Sequence, residues 1–210
     1  MNQKPSFLLS LLMILWVPSM QAQLSFEGYQ DSIESYHAKQ IEKFLNEHAS
    51  PLREQTKDFK GHDWFPTDTD FRVEARLTRT DEAKPFMMPT SNPDRCKPYI
   101  SYGVASFSID GKEYQLTVYK SLGLPPLPQY RDHYFIPFKD LTNGEETYGG
   151  GRYLDVRLEK GQETFTLDFN RCYNPYCAYS DGWSCPIPPR SNQLQVRIEA
   201  GIKVYQRKAH

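Results

Sequence analysis

The sequence predicts a mainly antiparallel β domain, a sandwich or short barrel, fronted by one N-terminal α-helix. Three observations predict it. Apolar and polar residues alternate from Phe71 to Leu77, Asp110-Gly111 stands between two alternating runs, and helical spacing of apolar residues is confined to the stretch from Phe26 to Leu45.

The first 22 residues stand apart from this domain. Lys4 precedes an apolar run from Phe7 to Val17, Pro18 breaks it, and Ser19-Met20-Gln21-Ala22 supplies small residues for cleavage. That is the layout of a secretory signal peptide. The run is shorter than the roughly 20 residues a bilayer span requires. Residues 1–22 are therefore expected to be removed on export, leaving residues 23–210 as one domain in the periplasm or outside the cell, without stable membrane insertion. Lys4 is the only charge in the removed segment, so 24 basic residues face 26 acidic ones in the mature chain. A charge so close to neutral, without a basic block, argues against nucleic acid as a partner.

The helix is expected over residues 23–50. Phe26, Tyr29, Ile33, Tyr36, Ile41, Phe44 and Leu45 supply its apolar stripe, Ser25 its N-cap and Pro51 its stop. His37 and His48 on this element read as exposed or packing residues. Strands and loops fill residues 70–206. Phe71, Val73, Ala75 and Leu77 form one half-buried strand. A two-residue turn at Asp110-Gly111 sets Phe107 against Tyr114, Ala105 against Leu116 and Gly103 against Val118. A second such turn at Lys160-Gly161 would set Val156 against Phe165, Leu154 against Leu167, Tyr153 against Asp168 and Asp155 against Thr166. That register gathers the apolar residues on one face and leaves Tyr153, Asp155, Asp168 and Asn170 on the other, which is either solvated or a site.

Four cysteines in an exported chain favour disulfides, since the compartment is oxidising and the count is even. Cys177 and Cys185 are close enough to close a short loop, which leaves Cys96 to pair with Cys172. In the chain-entropy picture the short loop contributes about 2.5 kcal/mol and the long one about 4.5. A reactive thiol remains an alternative. Zinc fits the spacing poorly because no histidine neighbours the cysteines, and neither a metal nor a cofactor is expected.

The densest chemistry lies between Phe138 and Pro189. Gly149-Gly150-Gly151 upstream of the second hairpin and the proline-stiffened Asn174-Pro175 loop downstream would meet at one end of it. Arg152, Tyr153, Asp155, Asp168, Asn170, Tyr173 and Asn174 are thereby expected to converge. Arg152 would either grip an anionic group or satisfy Asp155 or Asp168 in a buried pair. Two functions follow: an envelope-associated binding module whose pocket holds a small polar ligand, or a hydrolase-type enzyme using Cys177 with His133, or the carboxylates Asp155 and Asp168. No nucleophile elbow, zinc-protease helix, phosphate loop or dinucleotide fingerprint is present.

These residues also carry a resemblance. F-x-D-x-T-x-G-x-x-T-Y-x-x-G-R-Y-L-D from Phe138 to Asp155, D-F-N-x-x-Y-N-P-x-C-A-Y from Asp168 to Tyr179 and C-P-x-P-P from Cys185 to Pro189 resemble the uncharacterised bacterial family DUF1684. D-W-F-P from Asp63 to Pro66 and Tyr102-Gly103 extend the likeness over most of the mature chain. The resemblance supplies relatives without an activity, cofactor or catalytic residue. It places Cys177 and Cys185 on cysteines of the family pattern and sets Cys96 and Cys172 outside it.

Overall fold

The computed structural model describes residues 20–46, 50–52, 56–57 and 59–206, with side chains from Ser25 onward. The apolar run proposed as a signal and His48 lie outside the described residues. One long helix, α1 (Met20–Asn46), precedes the strands. Its buried stripe follows helical geometry through Tyr29, Ile33, Tyr36, His37, Ile41 and Phe44, with Ile33 and Phe44 deepest. Phe26 and Leu45, expected on that stripe, point to solvent. Ser25 is not the N-cap, because helical backbone already runs through Met20. No helix among the described residues is long and apolar enough to cross a membrane.

Among the described residues seven strands form one antiparallel sheet: β1 (Arg72–Arg79), β2 (Phe86–Pro89), β3 (Cys96–Ile109), β4 (Lys112–Ser121), β5 (His133–Phe138), β6 (Arg152–Arg157) and β7 (Thr164–Asp168). The strand order is β6-β5-β4-β3-β1-β7, with β2 paired to the first residues of β3. The β3–β4 hairpin has the expected register, Phe107 opposite Tyr114, Ala105 opposite Leu116 and Gly103 opposite Val118. Its turn requires positive φ at both central residues, and Asp110 (50°) and Gly111 (71°) provide it.

The second hairpin is different. β6 and β7 do not pair with each other; they are the two ends of the strand path, β6 bonded to β5 and β7 to β1. The turn itself forms, with Gln162 N–H donating to Glu159 O and Gly161 at φ 83°. Just outside it the strands splay, each following its other neighbour: Leu158 N–H donates to Asp132 O, and Glu163 O accepts from Leu77 N–H. The proposed pairs of Asp155 with Thr166 and of Tyr153 with Asp168 are therefore absent. The faces are nevertheless as expected. Leu154, Val156, Phe165 and Leu167 are buried in one core with residues of β1, β3, β4 and β5, while Asp155 and Thr166 are exposed.

That shared core forces a curl. A flat path of six strands holds its edges about 24 Å apart at about 4.8 Å per strand, near the full stretch of the link between β6 and β7. The turn shortens the link further, so the sheet rolls into a half-barrel with an open seam between β6 and β7.

Two further layers complete the fold. On the outer face Met88, Tyr99, Tyr119, Phe135 and Tyr153 form a second cluster, against which Tyr173 packs. On α1, Phe44 packs with Leu52, Ala178 and Tyr179. Between β4 and β5 the buried Asn192 side chain replaces ladder bonds: its Oδ1 accepts from Thr117 N–H (2.7 Å) and its Nδ2 donates to Thr117 O and Pro137 O (both 2.9 Å). Pro137 has no N–H of its own to offer a neighbour, and the asparagine satisfies carbonyls that would otherwise be buried without a donor.

Candidate functional site

Strand alternation decides where Arg152 goes. It shares the inner face of β6 with Leu154 and Val156, opposite to Tyr153 and Asp155. Fully buried, its guanidinium donates through Nη2 to Asp140 Oδ2 (2.9 Å) and Ile198 O (2.8 Å), and through Nη1 to Ala200 O (2.6 Å) and Ile202 O (3.3 Å). Its partner is thus Asp140, not Asp155 or Asp168. Asp140 Oδ1 accepts in turn from Thr142 N–H and Oγ1–H and from Ile198 N–H. Thr142 Oγ1 lies 2.8 Å from Thr147 Oγ1. The D-x-T-x-G-x-x-T run is therefore a loop built to hold one carboxylate against one guanidinium. Gly151 precedes Arg152 at φ 94°, where a Cβ would lie 2.6 Å from Phe138 O; only glycine brings the chain into β6 at this point.

The remaining expected site residues divide into three groups rather than one patch. Tyr153 and Tyr173 exchange backbone hydrogen bonds at 2.9 Å, and the Tyr153 hydroxyl donates to Pro186 O. Tyr173 donates its hydroxyl to Asp155 Oδ2 (2.9 Å), and His133 Nε2 lies 3.1 Å from Asp155 Oδ1. Burial raises the Tyr153 and Tyr173 phenols well above their ordinary range, and the Asp155 carboxylate adds to this at Tyr173.

Asp168 belongs to the helix interface. Its Oδ1 accepts from the Tyr29 hydroxyl (2.8 Å) and from Asn170 N–H (3.1 Å), and Oδ2 from Arg171 Nε (3.2 Å). Asn170 Nδ2 donates to Asp68 O, and Asn170 Oδ1 accepts from Asp68 N–H. These groups dock α1 onto the end of β7. Asp155 and Asp168 nevertheless line one groove of about 290 Å³ in the open seam, with Arg157, Thr166 and Arg171.

Asn174 lines a larger cleft of about 640 Å³, with Lys57, Lys60, His62, Asp63, Tyr179 and the segment from Ile202 to Gln206. Three stretches distant in sequence meet here, tied by Lys203 N–H to Asp63 O (2.8 Å) and Asn174 Nδ2 to Lys203 O (2.8 Å). Asn174 Oδ1 and His62 Nε2 are buried without a partner. His62 Nδ1 lies 3.2 Å from the Tyr179 hydroxyl, and its ring is edge-on to Phe44 at 4.6 Å. Burial first, and then His37, push the His62 pKa down to about 4; burial also lowers that of His37, which stacks on Trp64 at 3.7 Å. Of this cleft, sequence reasoning placed only Asn174 in a site. His62 has no metal or nucleophile spacing around it, and the one available signal is its position beside the D-W-F-P run.

Cys177 and Cys185 are bridged, their Cα atoms 6.3 Å apart. The bridge removes Cys177 as a nucleophile beside His133, which pairs with Asp155 instead. The expected Cys96–Cys172 disulfide is not formed. Cys96 is exposed where β3 starts, opposite Pro89, whereas Cys172 lies in the inner core beneath Ala200. Burial pushes the Cys172 thiol up to about 11, so it is an inert filler rather than a thiolate.

Two predictions follow from this geometry. Arg152→Ala strands the buried Asp140 carboxylate and should lower the unfolding free energy by about 3–5 kcal/mol, measured by urea denaturation. Asp140→Ala should cause a similar loss, and the double variant should lose less than the sum. A small effect of Arg152→Ala, matching that of the exposed Asp155→Ala, would contradict the buried pair. For His62, a folded pKa below the unfolded value near 6.5 means that the folded state binds fewer protons. Its contribution is complete above about pH 6.5 and is lost as pH falls toward 4. Between pH 7.5 and 4.5 the wild type should lose about 2–3 kcal/mol more than His62→Gln; equal losses would show that the imidazole titrates normally.

Comparison with known proteins agrees with the geometry in naming no activity. No curated protein matches the chain. A solved structure of similar fold is the solution NMR structure of the uncharacterized protein from gene locus rrnAC0354 of Haloarcula marismortui, 31% identical, with a TM-score of 0.67 over 86% of this chain and 97% of that one. The family described as "Protein of unknown function (DUF1684)" matches residues 57–203, and the chain belongs to that family.

Proposed function

We propose that the chain is exported and works as a binding module, holding a small polar ligand in the cleft lined by residues 57, 60–63, 174, 179 and 202–206. The observation that carries this reading is Asn174. Its side chain is 1% exposed, lines the cleft, and holds an acceptor oxygen with no donor. An unsatisfied buried acceptor costs about 1–3 kcal/mol, and a ligand hydroxyl or amine removes that cost. The cleft volume of about 640 Å³ is that of a small-molecule site. Export is supported by the N-terminal sequence and by the Cys177–Cys185 bridge, which persists in oxidising compartments.

A second reading is hydrolysis at the seam, favoured by one observation: Asp155 and Asp168 line the same groove. Both carboxylates there already accept hydrogen bonds from side chains, Asp155 from Tyr173 and Asp168 from Tyr29 and Arg171. The cleft at Asn174 is preferred because two of its buried polar atoms, Asn174 Oδ1 and His62 Nε2, are still without a partner.

Amide NMR spectra of the mature protein, recorded with a panel of small polar solutes, separate the two. The binding module predicts shifts at Lys60 to Asp63 and Ile202 to Gln206. Shifts confined to Asp155 and to Thr166 through Arg171 would move the site to the seam. For export, mass spectrometry of protein produced with its full N-terminus should find a chain starting near Gln23, and an intact Met1 would overturn it.

A further inference from the structure

We infer that the ligand of the Asn174 cleft carries an anionic group on a hydroxylated frame, the chemistry shared by sugar acids and sugar phosphates. The inference rests on the binding reading above and adds the class of ligand to it. The cleft has two chemically distinct ends. Among the described residues three lysines, Lys57, Lys60 and Lys203, line it against one acidic residue, Asp63. Lys57 and Lys60 are exposed at the rim, and Lys203 Nζ stands 4.7 Å from the centre of the Phe65 ring. A negative group is attracted to this rim.

The deep end is uncharged and made for hydrogen bonding. Lys203 O can only accept, so the Asn174 nitrogen must face it, and Oδ1 is left as an acceptor. An acceptor in that position selects an O–H or N–H donor on the ligand. His62 Nε2 is a second unpartnered atom of the cleft residues, and with its low pKa the ring stays neutral at physiological pH and adds no charge. Tyr205, whose ring centre is 4.9 Å from that of Tyr179, supplies the apolar wall on which a sugar face can rest. A bare anion engages only the rim and a neutral sugar only the floor. A hydroxylated acid engages both.

Isothermal titration calorimetry with glucuronate, glucose 6-phosphate, glucose and inorganic phosphate tests this. At low salt, at least one of the two acids should bind about tenfold tighter than glucose and tighter than phosphate, with affinity falling as salt rises. The Lys57→Gln/Lys60→Gln double variant should weaken that acid about three- to tenfold and flatten the salt dependence, with unchanged thermal unfolding, since both side chains are exposed. Glucuronate alone binding would mark the carboxylate as the anionic group, and glucose 6-phosphate alone the phosphate. If glucose binds as tightly as the acids in both proteins, the anionic class is wrong while the binding module stands. If inorganic phosphate matches glucose 6-phosphate and glucuronate does not bind, the site takes bare anions and the hydroxylated frame is wrong. If none of the four binds, the inference is overturned, and the amide map with other solutes decides the binding module separately.

Discussion

A guanidinium and a carboxylate do the work of a missing strand. The segment after Asn192 alternates apolar and polar residues like a strand, with Leu194, Ile198, Ala200 and Ile202 buried, yet it joins no regular ladder. Successive carbonyls on one side of an extended segment belong to every second residue, and those of Ile198 and Ala200 meet Arg152; beyond Gly201, at φ 74°, Ile202 O meets it as well. Asp140 supplies the complementary acceptor, for Ile198 N–H. The pair thus gives the segment both hydrogen-bonding roles that a neighbouring strand would give. The geometry explains why a full positive charge is tolerated at the end of an apolar core: three backbone carbonyls and the Asp140 carboxylate replace the water around its terminal nitrogens, with only Nε left without a partner.

What Arg152 anchors then positions the cleft. The held segment continues into Lys203, Val204 and Tyr205, one wall of the pocket, with Val204 N–H donating to Glu146 O in the loop that carries Asp140. The opposite wall, Asn174 to Tyr179, contains Cys177. Its bridge to Cys185 ties that wall to the 89–91 stretch, where Ser91 N–H donates to Cys185 O and Ile187 N–H to Pro89 O. α1 backs the third side through Phe44 against His62 and Tyr179. The walls are fixed by different means, a buried ion pair, a covalent bond and aromatic packing.

The sequence was most legible where one short-range signal fixed everything. Asp110-Gly111 set its hairpin's register because two residues with positive φ leave no freedom in how the flanking strands meet. Around Lys160-Gly161 the same reasoning found the turn and the faces but not the pairing. Side-chain alternation reports only which way each residue points; which edges bond depends on where β5 and β1 already lie. Arg152 was misplaced for a different reason. Its parity with Leu154 and Val156 pointed inward in the sequence itself, but charge was given more weight than alternation. Its partner Asp140 was visible inside the motif run without any local cue that joined the two. The unpaired Cys96 and Cys172 repeat the lesson, since an even count says nothing about layers, and these two stand in different ones.

The cleft was illegible for a topological reason. Its two unpartnered polar atoms, on His62 and Asn174, come from stretches more than a hundred residues apart, and Asn174 looks like an ordinary turn asparagine until Lys203 O occupies its nitrogen. A free asparagine amide can rotate to suit either a donor or an acceptor; this one cannot, because rotation would set its oxygen against a carbonyl. The same constraint that removes one hydrogen-bonding option from Asn174 gives the other its direction. A site whose acceptor is fixed before the ligand arrives loses little rotamer freedom on binding. On the binding reading proposed above, discrimination among ligands at Asn174 would fall on whether they bring a donor to Oδ1. The exposed Lys57 and Lys60, long and freely rotating, are suited to attracting charge rather than to reading shape.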